Sequence, residues 1–177
     1  MLRALATTTL VLLTASCASS GAARVAREPF PPEMCARFAQ GWTHEGISMI
    51  ESFDSLFDIA QRRSPGERPD PEDRMDRAPA LLNGRSIANF VSSAYPRDLL
   101  FARRGGSTMM AVLVAADGTP ARIRVFRSSG IRSLDEASIY VTEQFRFSPG
   151  VYRGCPAYTF VMMPVNWDPG PPPQGSR

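Results

Sequence analysis

The chain has 177 residues, 44% of them apolar and 21% charged, and a formal net charge of +3. That length holds one ordinary domain plus appendages, with a small core that would gain from covalent support. All 20 basic residues are arginine, and their excess over acid is too slight to argue for a nucleic-acid partner.

The first residues, MLRALATTTLVLLTASCASSGAA, carry Arg3, an apolar run and then small residues around Cys17. This reads as a secretory signal, too short to span a bilayer. Thr14-Ala15-Ser16 before Cys17 resembles a bacterial lipobox, in which Cys17 is lipidated and becomes the first residue of the mature chain. Residues 1–17 are then the signal with its lipobox, and the protein sits in the periplasm, held to the outer membrane by lipid alone. Ordinary cleavage between Ala18 and Ala23 would leave it soluble in the same compartment. Removing Cys17 leaves Cys35 and Cys155, a disulfide candidate in an oxidising compartment. Two unrelated buried thiols are the alternative. A zinc site from Cys35, His44 and Cys155 lacks a fourth ligand and a ligand pair at metal spacing, so no metal is expected.

Residues 28–62 follow as an acidic amphipathic segment. Met34, Cys35, Phe38, Trp42, Met49, Ile50, Phe53, Leu56, Phe57 and Ala60 recur at spacings of three and four, as on one helical face. Gly41 and Gly46 interrupt it, so the segment is one helix or two, Glu33–Gln40 and Ile47–Gln61. Between Glu28 and Ala60, Glu28, Glu33, Glu45, Glu51, Asp54 and Asp58 face a single Arg37, whereas residues 95–168 have more Arg than acid, so the two parts could dock on each other. Residues 63–80, rich in Pro and in both signs of charge, read as a linker.

Residues 81–168 form the domain. Tyr95-Pro96 starts a short helix, Asp98–Arg104, that Gly105-Gly106 stops. Thr108–Ala115 is rich in apolar residues that suit a strand, Asp117-Gly118 marks a turn, and Ala121–Arg127 alternates Ile123 and Val125 with Arg122 and Arg124. These predict an antiparallel hairpin. Ser128-Ser129-Gly130 closes the second strand, and Ser133 with Glu136 predicts a capping box before a helix carrying Leu134, Ala137, Val141 and Phe145 on one face. Pro149-Gly150 and Cys155-Pro156 break the chain before a last strand, Tyr158–Val165. Residues 169–177 read as a Pro-rich disordered tail. The class is α+β: a small three-stranded antiparallel sheet with helices on one face, preceded by the amphipathic segment.

Tyr95-Pro96, AADG at Ala115–Gly118, V-F-R-SSG at Val125–Gly130, LDEAS at Leu134–Ser138, FRFSPG at Phe145–Gly150 and MPVNW at Met163–Trp167 resemble, motif after motif, the TonB C-terminal domain family. Phe145 stands where that family commonly has tryptophan, and Leu99-Leu100 where a small residue is usual. The resemblance implies a non-enzymatic module that binds an extended peptide or an outer-membrane or other envelope protein along its last strand, in outer-membrane transport. The counterpart here is Tyr158, Thr159, Phe160, Val161, Met162, Met163, Val165 and Asn166, with Pro164 removing one donor. A homo-oligomer, in which a second copy covers that edge, is a further option, as is a structural lipoprotein whose N-terminal helices cap the module. The family's energy transducers have a membrane anchor and a long periplasmic span. The apolar run here is of signal length and the linker near Ser64–Pro79 reaches only about 70 Å when extended, so coupling to the motor itself is not expected.

No catalytic constellation emerges. His44 is the single histidine, Ser128-Ser129-Gly130 lacks a nucleophile elbow, and Gly105-Gly106 lacks the rest of a phosphate loop. Asp135 and Glu136 are accounted for as acids in a first helical turn. No cofactor is expected.

Overall fold

The computed structural model describes residues 28–43, 45–62 and 75–170. The signal with Cys17, His44, linker residues 63–74 and the tail beyond Gly170 lie outside them.

Three strands carry the domain. β2 (Gly106–Val114) pairs antiparallel with β3 (Pro120–Arg127) on one side and with β7 (Thr159–Trp167) on the other. The Asp117 carboxylate accepts the backbone N–H and the hydroxyl of Thr119, at 2.8 and 2.7 Å, and closes the β2–β3 turn. Gly118 beside it has φ +87°, and a Cβ there would lie 1.9 Å from the carbonyl oxygen of Phe147, so only glycine fits.

Met110, Val112 and Val114 point to one face of β2, where α5 (Arg132–Glu143) lays Leu134 and Val141 on them. The same layer holds α3 (Gly84–Ala94) through Ile87 and α4 (Arg97–Phe101) through Leu99. The α+β class is found, as is the helical face expected for Leu134, Ala137 and Val141; Phe145, expected on the same face, joins that core from just past the end of α5 at Glu143. α4 occupies the region of the predicted Asp98–Arg104 helix but ends at Phe101.

Helix α3 has no counterpart in the sequence reading. Its apolar residues Ile87, Phe90, Val91 and Ala94 sit at helical spacing, but Pro96 and the polar linker on either side obscure it. Asn83 ties its start to the end of α5, accepting the N–H of Arg146 at 3.0 Å and donating to the carbonyl of Gln144 at 2.8 Å.

Capping of α5 differs from the predicted box. Ser133 lies inside the helix, whose N-cap position is Ile131 with no side-chain cap. Glu136 instead pairs with Arg132 at 2.7 Å on the exposed surface. Asp135 takes over the work at this end, accepting from the buried Thr108 hydroxyl at 2.9 Å, from the Ser129 N–H and hydroxyl at 2.8 Å each, and from the Ser128 hydroxyl. A carboxylate one turn in can reach both the strand and the Ser-Ser-Gly turn, which a Ser133 hydroxyl cannot.

Residues 28–62 form a strap across the other face of the sheet. It contains two helices, α1 (Pro32–Ala39) and α2 (Phe53–Arg62). Gly41 and Gly46, at φ +87° and +81°, turn the chain between them, so Trp42, Met49 and Ile50 belong to a loop and not to a helical face. α1 packs Phe38 against Cys155 and Ala157, and α2 packs Phe53 and Phe57 against Ala111 and Leu113. Both faces of β2 are therefore buried, the domain's own helices on one and the strap on the other.

The segment from Gly150 to Ala157, read from sequence as two chain breaks, is a hairpin. β5 (Gly150–Tyr152) pairs with β6 (Cys155–Ala157) through a two-residue turn, Arg153-Gly154, in which both residues have positive φ, +48° and +81°. Residues 75–81, mostly assigned to the linker, are bonded to the module. Arg77 bridges Val151, and β1 (Ala80–Leu81) pairs with β4 (Phe147–Ser148). Their backbone groups are satisfied by strand partners that sit about 70 residues further along, which composition does not register.

Candidate partner-binding surface

β7 is an outer strand of the sheet, and among the described residues no strand pairs on its far side. Its nine-residue ladder with β2 runs from Gly106↔Trp167 to Val114↔Thr159 without a register shift. Pro164 has no N–H to give to β2, so an unbroken ladder requires its nitrogen to face the open edge. By the alternation of antiparallel pairing, Phe160, Met162 and Asn166 then present N–H and C=O groups outward, and Pro164 presents only its carbonyl. Side chains alternate in step with this, across the plane of the sheet. Val161, Met163, Val165 and Trp167 enter the α5 core, whereas Phe160 packs toward the strap with its ring 5.8 Å from that of Phe53.

Both ends of β7 are fixed. At the C-terminal end the Trp167 indole donates to the buried Ser138 hydroxyl at 2.8 Å, and its ring meets Tyr95 edge-on at 5.3 Å. The Tyr95 hydroxyl in turn donates to the carbonyl of Arg104 at 3.0 Å, and burial together with the Asp168 charge pushes its pKa up. At the other end Thr159 donates to the Met75 sulfur at 3.5 Å. A strand held this way offers its edge without having to be ordered first, which lowers the entropic cost of strand addition.

Cys35 and Cys155 form the disulfide, 120 residues apart in sequence, with 4.9 Å between their Cα atoms. It fastens α1 to β6 beside stacked Phe30 and Phe38 rings, 5.5 Å apart, which also meet Tyr152. Docking of the acidic segment onto the basic sheet is observed as well. Asp54 pairs with Arg124 at 2.8 Å, and the same guanidinium lies 4.1 Å over the Phe57 ring. That ring meets Phe126 edge-on at 5.5 Å.

Where the strap loop meets the start of β7 there is an apolar groove of about 440 Å³. Trp42, Ile47, Met49 and Leu56 of the strap line one wall, and Tyr152, Ala157 and Tyr158 line the other. The sequence reading missed this site. The apolar periodicity puts Trp42 on a helical face; its place between Gly41 and Gly46 is the sign in the sequence that it sits in a turn. Among the described residues there is no cluster of metal-ligating side chains, and no helix is long and apolar enough to cross a membrane.

Residues 91–169 match the family model described as the Gram-negative bacterial TonB protein C-terminal. This stretch, under half of the 177-residue chain, is similar to the TonB C-terminal domain, an envelope-associated family that is non-enzymatic in general. A solved structure titled "The structure of HasB CTD" is similar at 19% identity, covering 62% of this chain and 92% of that one, with a TM-score of 0.31. No curated protein sequence gives a significant match. The strap and residues 75–90 lie outside the family match.

Proposed function

We infer that this is a non-enzymatic periplasmic protein that binds an extended peptide of an envelope or outer-membrane protein by adding it as a strand to β7, in outer-membrane transport. The observation that carries this reading is the edge of β7: nine residues in register with β2, anchored at both ends, and with no strand on the outer side among the described residues. Such an edge supplies affinity through main-chain hydrogen bonds and leaves selectivity to neighbouring side chains. Lipidation at Cys17 would hold the protein at the outer membrane, where such partners are found. The test is in-cell photocrosslinking from position Met162, half exposed beside the open edge. A discrete envelope-protein adduct supports the reading; no adduct from Met162 or from Asn166 overturns it.

A second reading, a structural envelope lipoprotein, is favoured by the strap, which buries Phe53 and Phe57 on the sheet. Hydrogen exchange separates the two. Rapid exchange of the Phe160 and Met162 amides in the isolated monomer fits an open edge, and slow exchange fits a capped one.

A further inference from the structure

The groove lies at the start of this edge and the gap at Pro164 about two-thirds of the way along it, and together they bias where a guest strand can bind. Beyond Met162 an added strand meets a proline that gives no hydrogen, so its best-paired stretch is at Phe160 and Met162. That stretch leads directly to Tyr158, the residue before β7, which lines the groove. The strap loop rests on it: a Cβ at Gly41 would lie 3.5 Å from the Tyr158 ring.

The loop is built to hold its shape. Thr43 donates its N–H to the carbonyl of Ile47 at 2.9 Å, the Ile47 N–H returns to the Thr43 hydroxyl at 3.1 Å, and Met49 donates to the carbonyl of Gly41 at 2.7 Å. Even so, Trp42 and Ile47 remain 40% and 48% exposed, a cost that a buried partner side chain would remove. Glu45 joins the lining, and Glu51 and Asp58 are exposed on the same acidic strap.

We propose that the strap is half of the binding site: the groove takes one large apolar side chain of the added strand, and the acidic strap selects basic residues flanking it. The partner segment is then an extended peptide with an aromatic or long aliphatic residue next to arginine or lysine, just past the stretch paired with Phe160 and Met162. This rests on the edge-addition reading above.

The experiment uses the chain from Glu28 to Arg177, which holds every described element. Its probes are blocked, fluorescently labelled peptides of alternating Thr and Val carrying a terminal Trp-Arg-Arg, Ala-Arg-Arg or Trp-Glu-Glu block, placed first or last to serve parallel and antiparallel addition. Binding is read by anisotropy. The Trp-Arg-Arg peptide is expected to bind about tenfold more tightly than either counterpart, and Trp42→Ala to erase the difference between Trp-Arg-Arg and Ala-Arg-Arg. Ile47→Ser provides a second variant on the same wall, with the same expected loss. Equal binding of all three peptides, or a Trp preference that survives both variants, overturns the groove assignment and leaves edge addition standing. Binding of none of them overturns both.

Discussion

The helix α5 and the strap helix α2 cover the same three strands from opposite sides, but by different means. α5 is adjacent in sequence to the strands it covers and is held by a polar network as well as by packing. Asp135 gathers Thr108, Ser128 and Ser129, and Ser138 takes the Trp167 indole. α2 brings two aromatic side chains and one exposed ion pair from more than 50 residues upstream, and relies on a disulfide elsewhere in the strap to stay close. One layer is specified locally and the other is tethered. Loss of the tether should therefore release the strap before it disturbs the domain.

The largest effect is expected from the tether itself. Replacing both Cys35 and Cys155 with Ser should cost about 4–5 kcal/mol in urea unfolding, the chain-entropy value for a loop of this length. Hydrogen exchange of the same variant should show α1 and α2 opening while β2 stays protected. Uniform exchange across both would mean that the strap and domain form one cooperative unit.

Next come paired cavity variants on the two faces. Leu134→Ala removes a fully buried side chain from the α5 layer and should cost about 3–5 kcal/mol in global stability. Phe57→Ala removes a similar contact from the strap, and there the loss should appear as faster exchange in residues 53–62, with a smaller change in the midpoint of the domain. An equal shift in both midpoints would break the contrast between layers.

The polar network comes third. Asp135→Ala strands the buried Thr108 hydroxyl and should cost about 1–3 kcal/mol. Burial raises the Asp135 pKa, but the hydrogen bonds from Ser128, Ser129 and Thr108 outweigh it and leave the carboxyl below its ordinary 3.8. A depressed carboxylate contributes stability above its unfolded pKa and loses it as pH falls through the folded one. The wild type should therefore lose stability below about pH 4, and Asp135→Asn should flatten that part of the profile. A variant profile parallel to the wild type would remove Asp135 as the cause.

The smallest effect belongs to the ion pair on the strap. Asp54→Ala should cost about 0.2–1 kcal/mol, because Asp54 and Arg124 are both well exposed. A loss of several kcal/mol would mean that charge, and not Phe53 and Phe57, holds α2 in place.

Much of the domain was legible in the chain because its signals are local. The Asp117-Gly118 turn, the Ile123 and Val125 alternation, and Leu134, Ala137 and Val141 on one helical face each depend on neighbours a few residues away. The reading failed where satisfaction came from afar or where a local rule had a stronger competitor. Ser133 and Glu136 have the spacing of a capping box, but Asp135 reaches two elements at once and sets that end of the helix. Arg153-Gly154 looked like part of a broken stretch, yet a positive φ at an arginine is tolerated within a closed hairpin.

The last strand is legible from its apolar run, but that no strand among the described residues pairs with its outer edge is a property of the sheet order. By itself, the sequence determined the three long strands β2, β3 and β7, the α5 helix and the composition of a possible tether, because periodicity and turn chemistry act within a few residues. Only the tertiary structure decided that the tether closes, that the strap covers the second face of β2, and that Trp42 meets Tyr158 in a groove. Those contacts join residues about 60 to 120 positions apart, and their stability comes from burying apolar surface that neither segment can bury alone.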